Sequence, residues 1–437
     1  MDQGLYLLDG HNLAMAQGTG IATYARGLAA AVAAQGFRPG VIHGADPGRP
    51  TAPGRIGGAR RLARRLAGQA EIALRGGVLP VQAGGQEVAG LPEGTLAFNA
   101  RDCVGRAHLH LRTTGAMLPL RMPQGMPQGM PQGMPQGMPH GLKERAVPRA
   151  MHWTYTVPLV LPGVPNLYSV LDLIPLVMPQ TTLTNLAAYR RMSALIARDA
   201  AHIVTISEWS RADIIRLLGV APERVSNTWL GVAPDPEALA LHGGALEASL
   251  GRHGLAAQGY FLFYAAIEPR KNLRRLIDAY LATDIAAPLI IAGKKAWLWE
   301  AELAALAGRE SLPDGRVRLL GHLPRPDLMA LVRGARAVCF PSLYEGFGLP
   351  AVEAMALGVP VLTSTASCMP EIVADAALCA DPYSVPALAE ALRALDSDAD
   401  LRARLAHAGP ARAAFFSPAR YGERLAALHH RLGLISD

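Results

Sequence analysis

The sequence predicts an α/β protein made of two doubly wound domains, each a parallel sheet covered by helices on both faces. Three observations carry that reading. From residue 260 onward, short apolar runs alternate with segments of helical period, and the first half repeats the alternation more loosely. The chain has 437 residues, half of them hydrophobic by type, which is more than the roughly 150 residues of an average domain. Strand, helix and strand in repetition imply right-handed crossovers and therefore parallel pairing.

In the second half, the runs YFLFYAAI (260–267), APLIIAG (287–293), RVRLLG (316–321), ARAVCFP (335–341) and VPVLTS (359–364) read as strands. Between the first two, Leu273, Leu276, Ile277, Tyr280 and Leu281 follow the i, i+3, i+4, i+7, i+8 spacing of one helix face. In the first half, 4–10, 165–175 and 201–207 read as strands. Residues 20–36, ending at Gly36, and 183–200 read as helices. The stretch GVAPDPEALALHGG (231–244) reads as a linker, which sets the expected domains at 1–232 and 245–417. Residues 418–437 carry Tyr421, Leu425, Leu428 and Leu432 on one helix face and need a surface to pack on.

Composition narrows the class. Lys plus Arg exceed Asp plus Glu, 42 against 35, for a net charge of +7. That excess favours anionic partners without choosing among them. The four cysteines form no C-x-x-C pair, and Cys339 and Cys379 fall within apolar runs, as free thiols of a reducing compartment would. The N-terminus opens with an acid, and no apolar stretch approaches the roughly 18 residues of a membrane span. A cytoplasmic protein is expected. Aromatic residues make up 5% with no stacking motif, which argues against nucleic acid. GTGIATY lacks the third small residue of a dinucleotide fingerprint, which argues against an oxidoreductase. Asp396, Asp398 and Asp400 have calcium-like spacing but no glycine at position six or glutamate at twelve, so they read as a turn and helix cap.

Two stretches stand apart. MPQGMPQGMPQGMPQGMPHG (122–141) places a proline and a glycine in every four residues, which forbids helix and ladder alike. It reads as a disordered loop insertion, with a methionine-rich binding segment as the alternative. In 55–76, Arg60, Arg61, Arg64 and Arg65 would share one side of a helix. They are either simple solvated arginines or a peripheral contact with an anionic membrane surface.

The chemistry concentrates in SLYEGFGLPAVEAMALG (342–358). It follows a buried strand, so it lies at the carboxyl edge of a parallel sheet, where crevices form and ligands bind. Gly346 and Gly348 permit close backbone approach or positive φ, and Pro350 suits a first helical turn. The free N–H groups from Gly348 to Ala351 form an anion site. Glu345 precedes the turn and Glu353 is expected in the first turn of the helix, where a carboxylate can accept from the two hydroxyls of a ribose. A solvated turn residue and a helix-dipole partner are the plainer readings of the two acids. At the same edge, AAIEPRKNLRRL (265–276) brings Arg270 and Lys271 just ahead of a helix, as cations for a diphosphate.

Residues 341–372, PSLYEGFGLPAVEAMALGVPVLTSTASCMPEI, resemble the signature of glycosyltransferase family 4, the group 1 retaining nucleotide-sugar transferases, with Glu345 and Glu353 matching its E-x7-E motif. GTGIATYARGL (18–28), the segment 202–226, AAIEPRKNLRRLIDAY, LIIAGKKAW (289–297) and 376–392 are similar to further family segments, in the expected order. The resemblance covers nearly the whole chain apart from 45–150. It implies the GT-B architecture, with two Rossmann-like doubly wound domains facing across a cleft, acceptor in the first, nucleotide-sugar in the second, and a C-terminal helix crossing back.

By that resemblance Glu345, Lys271 and Arg270 are catalytic, with Glu345 on the donor hexose and Lys271 on the diphosphate. Glu353 takes the ribose, the backbone of Gly348 and Leu349 the distal phosphate, and Gly346, Phe347 and Gly20 complete the donor site. Transfer with retention proceeds on the donor's front face without a metal or other cofactor. The implied partners are a nucleoside diphosphate sugar and a saccharide or lipid-linked saccharide acceptor. Within the family the chain resembles bacterial mannosyl- or rhamnosyl-type transferases of surface polysaccharide assembly, which makes GDP-mannose the first donor to consider. Two positions depart from the pattern. Ala266 stands where many members have an Arg, and Leu171 stands where relatives have a His before the Asp172 position. His152 and His11 are candidates for a substitute imidazole. The alternative reading is a catalytically impaired protein of the same fold that binds nucleotide-sugar or a partner. Replacing Glu345 or Lys271 by alanine is expected to cut turnover at least about a hundredfold with the melting temperature nearly unchanged.

Overall fold

The computed structural model describes residues 3–13, 20–44, 77–84, 90–123 and 148–435. The basic segment 55–76, Gly18 and the repeat beyond Pro123 lie outside the described residues.

The first half forms strands β1 (Gly4–Asp9), β2 (Phe37–His43), β3 (Leu79–Pro80), β4 (Gln82–Ala83), β5 (Leu96–Asn99), β6 (Leu118–Arg121), β7 (Pro148–Trp153), β8 (Leu159–Val160), β9 (Asn166–Ser169), β10 (His202–Thr205) and β11 (Val225–Asn227). Its main sheet has the order β11-β10-β9-β7-β1-β2-β5-β4, and β3-β6-β8 form a small second sheet. Pairing in the main sheet is parallel except between β4 and β5. The helices are α1 (Gly20–Ala34), α2 (Cys103–Thr114), α3 (Ile174–Val177), α4 (Leu186–Asp199) and α5 (Glu208–Leu218). Asn185 caps α4 by accepting from the N–H of Ala188, and Ser207 caps α5 by accepting from that of Ser210. Gly36, at φ 87°, turns the chain after α1.

The strand expected over 165–175 is shorter than its apolar run. β9 ends at Ser169, the Asp172 carboxylate accepts from the N–H of Ile174, and Pro175 enters the first turn of α3. A local side-chain turn and a proline thus override hydrophobicity. The linker is not featureless either: Asp235 caps the short helix α6 (Pro236–Ala240), and α7 (Gly243–Gly251) begins inside the stretch 231–244.

The second half runs β12 (Phe261–Tyr264), α8 (Leu273–Leu281), β13 (Leu289–Ala292), β14 (Val317–Gly321), α9 (Arg325–Gly334), β15 (Ala337–Phe340), α10 (Leu349–Ala356), β16 (Val361–Ser364), α11 (Met369–Val373), β17 (Leu378–Ala380), α12 (Val385–Ser397), α13 (Ala399–Ala414) and α14 (Pro418–Arg431). The sheet is wholly parallel, in the order β14-β13-β12-β15-β16-β17. The order reverses between β12 and β15, so the loops leaving these two strands diverge and open a crevice at their carboxyl ends. Both strands are fully buried. Leu273, Leu276, Ile277 and Tyr280 of α8 are buried against the sheet, each worth roughly 1.5–3 kcal/mol, whereas Leu281 is partly exposed.

Helix α14 crosses to the first half and packs on α1. The Tyr24 and Tyr421 rings meet edge to face at 6.4 Å, and His429 bonds the Tyr6 hydroxyl at 3.1 Å and Gln35 at 2.6 Å. Asp398 caps α13, as the turn reading of the aspartate cluster expects. The four cysteines are free, with Cys379 half-buried. Among the described residues no helix is long and apolar enough to cross a membrane.

Candidate functional site

The loops after β12 and β15 are tied to each other before any ligand is considered. After β12 the chain makes a 3-10 turn over Pro269–Lys271, and Asn272 takes a left-handed conformation at φ 60°. The buried Asn272 amide donates to the carbonyls of Pro341 (3.0 Å) and Pro382 (2.7 Å), and the N–H of Leu343 donates to the carbonyl of Arg270 (2.8 Å). These bonds hold Arg270 and Lys271 opposite the loop that carries Glu345.

Glu345 sits between the two cations. Its Oε1 lies 2.6 Å from Lys271 Nζ and its Oε2 lies 2.7 Å from an Arg270 terminal nitrogen, with Glu345 and Lys271 both buried. Burial pushes the Glu345 carboxyl up, but the Arg270 and Lys271 charges together outweigh it and hold the pKa down at about 2. Lys271 is pulled below its ordinary value by burial and by Arg270, with Glu345 opposing, and its ammonium lies 4.7 Å from the centre of the Phe340 ring. Arg270 also pairs with Glu268 at 2.7 Å. Burial raises the carboxyls of Glu268 and Asp172, and Arg270 opposes both shifts. The cluster is therefore a desolvated ion network, not a surface pair.

The two glycines of the turn serve different ends. Gly348 has φ 90° at the start of α10, and a Cβ there would lie 2.7 Å from Met369 Sδ. Gly346 has no such backbone requirement; a Cβ there would lie 2.8 Å from the carbonyl oxygen of Leu171 and 3.2 Å from Asp172 Cβ. The first half of the chain presses directly on the turn. Pro350 stands in the first turn of α10 as expected, but Glu353 is its fifth residue and so lies in the second turn, with Gly358 (φ 68°) beyond its end. The Glu353 carboxylate is held by Arg325 at 2.9 Å and by the Tyr264 hydroxyl at 3.2 Å. Arg325 Nε also lies 3.7 Å from Asp235.

Across the gap, Gly20 opens α1, and a Cβ on it would lie 3.4 Å from Leu349. The N-termini of α1 and α10 thus face each other over a cavity of about 1820 Å³ lined from both halves, including Tyr24, Leu171, Asp172, Lys271, Glu345 and Glu353. The sequence-predicted Arg270, Gly346, Phe347, Gly348, Leu349 and Gly20 line the same cavity. The two histidines considered as substitutes do not. His152 is wholly buried behind the wall, bonded to Tyr6 and Ser169 at 2.9 Å each, and burial pushes it down to about 3, so it is a neutral structural group. His11 stacks on Tyr155 with centroids 5.7 Å apart. Leu171 itself lines the cavity.

Tyr264, Glu268 and Arg325 were not singled out by the sequence reading. Each follows or ends a strand at the carboxyl edge, and that position was the available signal. Among the described residues no group of three or more His, Cys, Asp or Glu side chains is placed to hold a metal ion.

Residues 253–412 match the family model described as glycosyl transferases group 1. The chain is 41% identical to the O-antigen chain mannosyltransferase B of Escherichia coli over 45% of this chain and 52% of that protein. It is 32% identical to the MMP alpha-(1->4)-mannosyltransferase of Mycolicibacterium hassiacum over 51% of this chain and 52% of that one. The chain thus spans about half the length of these two curated relatives. Among solved structures it is similar to sucrose-phosphate synthase from Thermosynechococcus elongatus, at 17% identity and a TM-score of 0.66, over 99% of this chain and 100% of that one. A second is WaaG, a glycosyltransferase involved in lipopolysaccharide biosynthesis, at 15% identity and a TM-score of 0.59, over 97% and 99%. These likenesses, nearly complete in coverage, show the two-domain GT-B fold expected from the sequence.

Proposed function

We propose that this chain, whose residues 253–412 belong to the group 1 glycosyl transferases, moves a hexose from a nucleoside diphosphate sugar to a saccharide or lipid-linked saccharide acceptor. The observation that carries the reading is the Glu345 carboxylate clamped between Arg270 and Lys271, at the cavity edge that α10 faces with its N-terminus. A buried lysine, a half-buried arginine and a helix N-terminus at one crevice suit a diphosphate. The relatives named as mannosyltransferases make mannose the first hexose to test.

In the proposed site Lys271, Arg270 and the N–H groups of Gly348 and Leu349 hold the diphosphate. Glu353 accepts from the ribose hydroxyls in exchange for part of its pairing with Arg325. Glu345 accepts from a hydroxyl of the hexose and orients it. The bond between the anomeric carbon and the diphosphate oxygen breaks, and that oxygen takes the proton of the acceptor hydroxyl. The new glycosidic bond forms on the face just vacated, so configuration is retained. Negative charge develops on the leaving diphosphate, and the preorganised cations and helix N-terminus stabilise it there, the role a metal ion would otherwise take.

A thermal-shift panel of GDP, UDP, dTDP and ADP sugars, followed by hydrolysis assays on whichever donor stabilises the protein, tests this reading. One stabilising donor that is slowly hydrolysed, and turned over faster with a saccharide acceptor, is the expected result. Binding without turnover, with acceptors present, would refute transfer and favour the catalytically impaired alternative, with Leu171 as the first position to restore to His.

A further inference from the structure

Helix α5, in the first half of the chain, is gripped by the second half at two points. At its start, Glu371 on α11 accepts from the backbone N–H groups of Glu208 (2.8 Å) and Trp209 (3.1 Å) and from the Trp229 indole (2.9 Å). Ser207 already satisfies the N–H of Ser210, so Glu371 completes the cap from the other domain, with a charge that suits a helix N-terminus. Arg412 on α13 donates to the carbonyls of Glu371 and Ile372 and so fixes the backbone that carries this cap.

The second point lies further along α5. Asp213 Oδ2 accepts from the Tyr344 hydroxyl at 2.5 Å, and Oδ1 pairs with Arg216. Both partners are buried, Asp213 at 5% and Tyr344 at 4% exposure. Tyr344 is the residue before Glu345. Its carbonyl accepts from Arg270 at 3.3 Å, and the next N–H, that of Glu345, donates to Ser367 Oγ at 3.0 Å. A buried carboxylate at an interface is expensive, and an apolar pair of the same volume would pack there without the desolvation cost. What the polar pair adds over such packing is direction: it fixes where the Tyr344 ring, and hence the following peptide, must lie.

We propose that Asp213 is a positioning residue for the donor site: through Tyr344 it sets the place of Glu345, so the Glu345 loop is complete only while α5 is docked on the second domain. The cap by Glu371 keeps α5 docked. The catalytic consequence rests on the transferase reading, whereas the coupling of Asp213 to the loop rests on the geometry alone.

The test compares Asp213→Ala, Asp213→Asn, Tyr344→Phe and the double variant Asp213→Ala/Tyr344→Phe with the unaltered chain, each checked for a cooperative melt. Amide hydrogen exchange over residues 342–348, measured without ligand, should accelerate by about tenfold in Asp213→Ala and Tyr344→Phe, with no further gain in the double variant. Asp213→Asn keeps an acceptor for the hydroxyl and should restore protection. With GDP-mannose, or the panel donor that the unaltered chain turns over, kcat should fall by about 10- to 100-fold while the donor KM moves little, as expected when the reacting sugar is misoriented and the diphosphate contacts persist. Unchanged exchange in Asp213→Ala, or effects of the two single variants that simply add, would overturn the proposal. An unaltered chain that turns over no donor sinks the transferase reading instead, and the exchange measurement still decides the coupling.

Discussion

Replacing Glu345 by Gln should inactivate the protein yet tighten its hold on a nucleoside diphosphate. The carboxylate accepts two charge-assisted bonds, from Lys271 at 2.6 Å and Arg270 at 2.7 Å, in a buried site. Removing one partner of a buried ion pair costs roughly 3–5 kcal/mol, and the lower end applies because Gln keeps one acceptor and Glu268 still faces Arg270 at 2.7 Å. With about 2–4 °C lost per kcal/mol in a domain of this size, a cost of about 3 kcal/mol lowers the ligand-free melting temperature by about 6–12 °C. The sequence alone leads one to expect an almost unchanged melting temperature for alanine substitutions here; because Glu345 and Lys271 are buried, a measurable drop is expected instead. A bound diphosphate meets the opposite balance. In the unaltered protein it must share Lys271 and Arg270 with a carboxylate of like charge; in Glu345→Gln it does not. Affinity for GDP or UDP should rise by about tenfold, close to 1.4 kcal/mol and to the worth of one charge-assisted bond. Titration calorimetry and thermal shift with the bare nucleoside diphosphates read the effect without needing turnover. Weaker binding by Glu345→Gln would refute the placement of the diphosphate between these two cations.

Three further outcomes follow from the same structure. If Glu353 accepts from the ribose, the unaltered chain should prefer a nucleoside diphosphate over its 2′-deoxy form by about tenfold, and Glu353→Ala should erase that preference in calorimetry; a preference that survives places the ribose elsewhere. Leu425→Ala, in the α14 face buried on the first domain, should cost about 2–5 kcal/mol in denaturant unfolding, and a value near zero would mean that the helix does not dock in solution. Burial pushes His429 and His202 down to about 4 and His152 to about 3, so between about pH 6.5 and 4 the unfolded chain takes up protons that the folded one refuses, and stability falls as pH falls. Asp9, raised to about 6 by burial, has the opposite sign and offsets part of this, which leaves a net loss of a few kcal/mol across the window. Denaturation midpoints that do not drop between about pH 7 and pH 5 would contradict the buried neutral histidines.

The second domain was legible in the sequence because its periodicity and its chemistry coincide. Most strands there are short apolar runs, the loops leaving β12 and β15 are short, and the expected site residues fall in two contiguous pieces, Arg270 to Lys271 and Glu345 to Leu349. The first domain was less legible for the converse reason. The run 165–175 reads as one buried strand, yet an Asx turn at Asp172 and Pro175 end its strand after Ser169. Its polar interior, with Tyr6 bonded to both His152 and His429, joins positions 146 and 423 residues apart that no local pattern connects. The same limit applies to the site. Gly346 reads as a glycine set for φ or for a ligand, but the structure makes it a glycine set for Leu171 and Asp172, brought from the other half of the chain. Nothing in the local pattern marks Tyr344, the residue before Glu345, yet its hydroxyl finds Asp213 131 residues away. At the site, what escaped the sequence includes the contacts by which the first half of the chain meets the Glu345 loop of the second. On the proposed reading the anion-binding half of the site is contiguous and its positioning half is assembled between the two halves of the chain, so loss of the Asp213–Tyr344 bond should disturb the sugar end of the site and spare the nucleotide end.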